Sequence, residues 1–204
     1  MPDPPRSRAE APPPLGAVLA GGLGRRIGGA KATVELAGRP LIAHPLAALR
    51  AVLPEVVVLA KRDSELPLLP GVAVWIEPDV PRHPLAGVAH ALAGADGRSV
   101  LTCAGDMPLI TRELVSRLAR WGGDAPAVVA RHPGGIEPLF ALYRPGALAA
   151  LGVAARAGAP ARAAVAALGP DWLWADDEAA FQSVNRPEER ARAAAALGSG
   201  LSRT

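Results

Sequence analysis

The chain of 204 residues is poor in cysteine and in aromatic side chains. Its single cysteine, Cys103, excludes an internal disulfide and a zinc site built from several cysteines, and it is typical of a reducing cytoplasm. Aromatic residues make up only 3% of the chain, so Ala, Val and Leu must fill the core. No apolar run reaches the roughly 18 residues that a membrane-spanning helix needs. We therefore expect a cytoplasmic protein with no membrane partner.

The net charge of the chain is also small. The 22 basic and 19 acidic residues leave a net charge of +3. No run of Lys or Arg and no basic-aromatic stripe marks a nucleic-acid surface, so we expect no nucleic-acid partner. The four histidines, which show no metal-ligand spacing, are interpreted as surface or packing residues. This charge distribution fits a protein with one local basic loop that binds a small anionic ligand better than it fits a nucleic-acid-binding protein.

The length and the proline distribution indicate one folded domain. A chain of this size matches a single domain of about 100–200 residues. The proline-rich residues 1–14 predict a flexible leader, residues 15–197 the folded domain, and residues 198–204 a frayed tail.

Short apolar runs alternate with longer helical stretches. Runs without in-out alternation are typical of strands buried on both faces of a parallel sheet. The predicted strands are 16–20, 56–60, 72–76, 99–104, 127–130 and 139–143. The predicted helices are 41–53, 84–92, 111–121, 148–168 with interruptions at Gly158 and Pro160, and one from about 187. This order predicts an α/β fold, a three-layer α/β/α sandwich with a mostly parallel, Rossmann-like sheet. Ligands bind beyond the carboxyl ends of the strands in such sheets.

A glycine-rich segment, GGLGRRIGGAK, follows the first predicted strand at residues 21–31. Glycines allow positive φ and close approach of the backbone to a ligand, and successive N–H groups can form an anion-binding nest. Arg25, Arg26 and Lys31 add positive charge, so the segment suits the phosphates of a nucleoside triphosphate. The alternative is a glycine-rich turn with solvated arginines.

Two common phosphate-binding motifs do not fit this segment. A P-loop needs a glycine before its lysine and a hydroxyl after it, whereas Ala30 and Ala32 flank Lys31. The dinucleotide fingerprint fails because Ile27 stands where its last glycine belongs. Neither motif therefore accounts for the segment.

A carboxylate, Asp106, follows the fourth predicted strand. Magnesium prefers hard oxygen ligands, usually one or two carboxylates together with phosphate oxygens. Asp106 is therefore the candidate ligand for Mg²⁺. The alternative is a structural role, either as a cap for the helix that begins near Thr111 or in a turn with Pro108.

Several motifs occur in a fixed order: LAGG at 19–22, RIG at 26–28, Lys31 and GRPL at 38–41. They resemble the signature of the molybdenum cofactor guanylyltransferases and related small nucleotidyltransferases. The likeness continues through Asp106, which matches the family's aspartate before Met-Pro, and through the closing segment 181–189. It covers nearly the whole predicted domain.

The resemblance implies transfer of GMP from GTP to molybdopterin, with Mg²⁺ and with release of pyrophosphate. It assigns nucleotide binding to Leu19, Ala20, Gly21, Gly22, Lys31, Asp79, Gly87 and Asp106. It assigns the catalytic role to Lys31, Asp106 and Arg25, the metal to Asp106, and acceptor binding to Arg26 and Asn185. Protein partners would be molybdoenzymes or cofactor-insertion proteins, and we expect a monomer or a weak homo-oligomer.

Some positions depart from the family pattern. Ala30 replaces a common aspartate, Leu59 a frequent polar residue, and Ser183 the first asparagine of the closing motif. Two alternatives therefore stay open: a cytidylyltransferase or other nucleotidyltransferase on the same scaffold, and a nucleotide-binding relative without catalysis. Asn185 also fits an N-cap of the final helix, with Pro187 in its first turn.

Overall fold

The computed structural model describes residues 12–20 and 31–200. Nine strands and six α-helices occur in these two ranges. The strands are β1 (Leu15–Leu19), β2 (Glu35–Leu36), β3 (Arg39–Pro40), β4 (Val56–Ala60), β5 (Ala73–Ile76), β6 (Val100–Ala104), β7 (Ala127–His132), β8 (Gly135–Tyr143) and β9 (Asp171–Trp174). The helices are α1 (Ala43–Arg50), α2 (Pro84–Gly94), α3 (Arg112–Ala119), α4 (Leu148–Arg156), α5 (Ala161–Ala166) and α6 (Pro187–Gly200).

Seven strands form one sheet in the order β5-β4-β1-β6-β8-β7-β9. β1 pairs in parallel with β4 and β6, β4 pairs in parallel with β5, and β7 with β9. Only β8 within this sheet is antiparallel to its neighbours, β6 and β7. The predicted mostly parallel sheet is therefore confirmed. Its four parallel strands β5, β4, β1 and β6 end at one edge, where a ligand site is expected.

Helices cover both faces of the sheet. Val18 of β1 packs into a core shared with α1 and α3, whereas Ala17 and Leu19 pack into a second core shared with α2, α4 and α5. This division explains why the strand is apolar at successive positions, since both of its faces are buried. The result is the three-layer sandwich that the sequence predicts.

A small third cluster joins α6 to the short hairpin β2–β3. Its buried members are Leu36, Leu41, Val184 and Ala193. The hairpin is absent from the sequence-based prediction. Its turn residues Ala37 and Gly38 have φ values of 48° and 75°, and alanine is not a residue that signals such a turn.

Two further features lie in the second half of the chain. The stretch 148–168, predicted to be helical with interruptions at Gly158 and Pro160, forms two helices, α4 and α5, because Gly158 adopts a positive φ of 64° and Pro160 follows. β9 was not predicted, since its four residues are too short a run to stand out. No helix in the described ranges is both long and apolar enough for a membrane span.

The predicted leader and tail fall largely on residues 1–11 and 201–204, which lie outside the described ranges. The division of the chain at residues 14 and 197 stays a prediction.

Candidate active site

A cavity of about 400 Å³ opens at the carboxyl ends of β1, β4, β5 and β6. This is the edge of the sheet at which parallel α/β folds bind ligands, and the volume suits a small molecule. The residues that line it are Leu19, Ala20, Lys31, Ala32, Lys61, Glu77, Arg82, His83, Pro84, Gly87, Ala104, Gly105, Asp106 and Leu139. The cavity therefore gathers side chains from distant parts of the sequence.

Lys31 connects two of the predicted site residues. Its ammonium group donates hydrogen bonds to the carboxylate of Asp106 and to the side-chain oxygen of Asn185. The side chains of Lys31 and Asp106 are 16% and 21% exposed, so both groups are partly desolvated but reachable from the cavity. A cation beside a carboxylate can hold phosphate oxygens on one side and a metal ion on the other.

The turn after β6 fixes Asp106. The N–H of Gly105 donates to the carbonyl of Leu19 at 2.9 Å. A Cβ on Gly105 would lie 3.1 Å from that same oxygen, so glycine permits the close approach of the two strand ends. Asp106 is not the cap of α3, because Thr111 caps that helix by accepting a hydrogen bond from Leu114 N–H at 3.2 Å.

A buried ion pair forms the wall of the cavity after β4 and β5. Lys61 Nζ lies 3.5 Å from Glu77 Oε2, with side chains 8% and 6% exposed. Lys61 also donates to the carbonyl oxygens of Pro78 and Pro81, which fixes the segment between β5 and α2. Among the described residues, Glu77 Oε2 has no hydrogen-bond partner.

Gly87 in α2 lies directly against this wall. A Cβ there would lie 3.1 Å from both Glu77 Oε2 and Leu19 Cδ2. Glycine at this position therefore lets the helix approach the end of β1 without crowding these two side chains. His83 begins α2 by accepting from Leu85 N–H at 3.2 Å, and its other ring nitrogen lies 2.9 Å from the carbonyl of Ala159.

The predicted site residues divide into three groups. Leu19, Ala20, Lys31, Gly87 and Asp106 line the cavity, and Asn185 joins them through Lys31. Asp79 is exposed and is not among the cavity-lining residues. The predicted residues Gly21, Gly22, Arg25 and Arg26 lie outside the described ranges, as does Ala30.

Glu77 and Lys61 are part of the cavity wall but are not among the site residues that the sequence predicts. Their positions in the sequence could have indicated both residues, because each directly follows a parallel strand, where ligand sites form.

The donor set limits how a metal ion could bind. Among the described residues, no group of three His, Cys, Asp or Glu side chains is placed to hold one. Asp106 therefore fits a divalent cation as a single protein ligand, with phosphate oxygens and water completing the coordination sphere. Sites of this kind are typical of Mg²⁺ bound together with a nucleotide.

Cys103, three residues before Asp106, is a packing residue. It is fully buried, and burial raises the pKa of its thiol well above the ordinary range, with a further contribution from the charge of Asp106. A protonated, inaccessible thiol is neither a nucleophile nor a metal ligand.

Comparison with known proteins finds related sequences along most of the chain. A family model described as the MobA-like NTP transferase domain matches residues 16–172. The chain is 35% identical to a molybdenum cofactor guanylyltransferase of Cereibacter sphaeroides over 90% of this chain and 96% of that protein. It is 37% identical to a probable molybdenum cofactor guanylyltransferase of Opitutus terrae over 63% of this chain, and the match spans 65% of that relative, just under two thirds of its length.

Solved structures share the fold. A molybdopterin-guanine dinucleotide biosynthesis protein A from Archaeoglobus fulgidus superposes with a TM-score of 0.71 at 24% identity, covering 91% of this chain and 99% of that one. A nucleotidyl transferase from Methanothermobacter gives a TM-score of 0.76 at 16% identity, covering 93% and 100%. At these identities the likeness establishes the α/β architecture alone.

Proposed function

Because the chain belongs to the MobA-like NTP transferase family, we propose that it transfers GMP from GTP to molybdopterin and releases pyrophosphate. The observation that carries the proposal is the contact of Lys31 with Asp106 inside the cavity. The activity named for the Cereibacter sphaeroides relative, which aligns along almost its whole length, supports the choice of nucleotide and acceptor.

The proposed reaction joins two phosphates. An oxygen of the molybdopterin phosphate attacks the α-phosphorus of GTP, and the bond from that phosphorus to the pyrophosphate oxygen breaks. The attacking oxygen is already anionic, so the site needs no strong general base. The protein contributes by placing the two phosphates in line and by stabilising negative charge.

Lys31 and Asp106 have separate roles in this scheme. The ammonium of Lys31 binds the triphosphate, and the carboxylate of Asp106 holds Mg²⁺. When bound, a divalent cation neutralises charge on the phosphates. The backbone from Leu19 to Gly22 contacts the nucleotide, as does Gly87, whose missing Cβ leaves room beside Leu19.

The remaining predicted residues complete the proposal. Arg25 acts with Lys31 on the triphosphate, and Arg26 and Asn185 act on the acceptor. Asp79 is proposed as a nucleotide contact, although Glu77, and not Asp79, lines the cavity after β5. The proposed compartment is the cytoplasm, supported by the single buried cysteine. Molybdoenzymes or cofactor-insertion proteins are the proposed partners of a monomer or weak homo-oligomer.

A pyrophosphate-release assay tests the proposal. The purified protein is given Mg²⁺ and molybdopterin with either GTP or CTP, and each nucleotide is also given without molybdopterin. Release with GTP that depends on molybdopterin supports the guanylyltransferase. Release with CTP instead identifies a cytidylyltransferase on the same scaffold, and nucleotide binding without release identifies a non-catalytic relative.

A further inference from the structure

A carboxylate in the first turn of α6 holds the backbone around Asn185. Glu189 Oε2 accepts hydrogen bonds from the N–H of Asn185 at 2.6 Å and from the N–H of Arg186 at 3.0 Å. The N–H groups at a helix start have no partner within the helix, and bonds from them to a carboxylate are stronger than bonds to a neutral acceptor. Glu189 therefore fixes the conformation of the chain on the helix side of Asn185.

The other side of Asn185 is fixed to the cavity itself. The N–H of Val184 donates to the backbone carbonyl of Asp106 at 2.9 Å. Val184 is 1% exposed and packs with Leu36, Leu41 and Ala193. Asn185 is exposed, so these two anchors, rather than packing of its own side chain, determine where its amide points.

The amide of Asn185 in turn fixes Lys31. Its side-chain oxygen accepts from Lys31 Nζ, and the same ammonium donates to Asp106. A lysine side chain is long and rotamer-rich, and two oxygens from different elements reduce the positions open to its charge. The chain of contacts runs from Glu189 through Asn185 to Lys31 and the carboxylate of Asp106.

We propose that Glu189 is a positioning residue of the active site, which holds Asn185 so that Asn185 keeps the Lys31 ammonium beside Asp106. The effect on turnover rests on the proposed nucleotidyl transfer, whereas the effect on Lys31 does not. Glu188 is the matched control, because it is an exposed glutamate in the same helical turn and removes the same charge when substituted.

The first measurement follows Lys31 directly. The chain has two lysines, Lys31 and Lys61, so selective ¹⁵N-lysine labelling gives one side-chain Nζ resonance for each, assigned with K31R. In E189A the Lys31 resonance is expected to move toward its position in N185A, while Lys61 stays in place. E188A should leave both resonances at the wild-type position. An unchanged Lys31 resonance in folded E189A overturns the proposal, whatever reaction the protein catalyses.

The second measurement is steady-state pyrophosphate release. Loss of a supporting contact behind a ligand-binding group typically costs roughly 10- to 100-fold in activity, and we expect this loss in kcat/KM for E189A. E189Q, which keeps an acceptor oxygen, should recover most of it, and E188A should match the wild type. Thermal unfolding of each variant confirms that the assay reports folded protein.

A double mutant separates positioning from general helix capping. If Glu189 acts through Asn185, E189A/N185A is no slower than N185A, because interacting residues are not additive. Losses that multiply in the double mutant overturn the proposal, and so does a wild-type kcat/KM in E189A. If the wild type itself releases no pyrophosphate, the proposed function fails while the lysine resonances still decide the role of Glu189.

Discussion

The ammonium of Lys31 contacts the carboxylate of Asp106, although 75 positions separate the two residues in the sequence. The two charges compensate each other inside a cavity that also has room for a small ligand. Phosphate oxygens would compete for the ammonium, and a divalent cation would compete for the carboxylate. A metal–triphosphate complex satisfies both groups at once, so we expect metal and nucleotide to bind more strongly together than alone.

Substitution of either member of the pair should stop transfer without unfolding the protein. K31A and D106A remove groups proposed to stabilise charge on the phosphates, and loss of one such group typically costs about 10²- to 10³-fold in kcat. Pyrophosphate release with GTP and molybdopterin measures the loss, with circular dichroism as the check on folding. Near-normal turnover in either variant contradicts the role assigned to that residue.

The pair also makes a prediction for metal binding alone. K31M removes the cation that competes for Asp106, so it should bind Mn²⁺ more tightly than the wild type when no nucleotide is present. The same variant should bind GTP more weakly. Electron paramagnetic resonance of free Mn²⁺ measures the first effect, and isothermal titration measures the second. D106N lacks the carboxylate, so its affinity for Mn²⁺ should not rise above that of the wild type. A higher Mn²⁺ affinity in D106N would show that the metal binds elsewhere.

Gly87→Ala should weaken nucleotide binding. The added Cβ would lie 3.1 Å from Glu77 Oε2 and from Leu19 Cδ2, at the lining of the cavity. Alanine favours a helix over glycine by about 1 kcal/mol, but overpacking costs about 1–3 kcal/mol, so the melting temperature should fall slightly and KM for GTP should rise. Gly146→Ala is the control, since a Cβ there meets nothing within 4 Å. Equal KM values in the two variants contradict the prediction.

Lys61→Met should destabilise the fold. It leaves Glu77 buried without its ion partner and the carbonyls of Pro78 and Pro81 without their donor. Breaking a buried pair from one side costs about 3–5 kcal/mol, which urea unfolding measures. The double variant K61M/E77Q should recover part of this loss, because no unpaired charge remains. A loss below about 1 kcal/mol, the range of exposed pairs, would show that the pair contributes little.

Cys103 should resist thiol reagents in the folded protein. Burial, aided by the charge of Asp106, raises the pKa of the thiol, so the thiol stays protonated at neutral pH, and it is inaccessible. Ellman's reagent should react only after denaturation. Above about pH 8.5 the thiol ionises in the unfolded chain before it does so in the folded protein. The contribution of Cys103 to the free energy of unfolding should therefore fall as the pH rises. The fall in the free energy of unfolding should be smaller in C103A. Rapid native labelling contradicts the assignment.

Much of the fold could be predicted because it depends on local pattern. Buried parallel strands are apolar at nearly every position, as in β1, β4 and β6, and Thr111 gives the start of α3 by its capping chemistry. Features without such a pattern were missed. The hairpin β2–β3 turns at Ala37 and Gly38, and β9 is stabilised by pairing with β7 rather than by its own sequence.

The candidate site shows the same division. Lys31 and Asp106 could be proposed from the sequence because each follows an apolar strand that ends in a glycine-containing segment. The roles of Glu77 and Glu189 could not. A glutamate after β5 or in the first turn of α6 looks like ordinary surface charge until its neighbours are known, namely Lys61 for the first and the N–H groups of Asn185 and Arg186 for the second.

Strand pattern and glycine content are local properties, so the sequence is enough to predict the fold class, the edge of the sheet that carries the candidate site, and the chemical types of residue there. Which of these residues meet depends on the tertiary structure. Lys31, Asp106 and Asn185 converge because strand order places β1 beside β6 and because Val184 bonds to the backbone of Asp106. Such contacts join residues up to 154 positions apart, and their free energy depends on packing that no local pattern records.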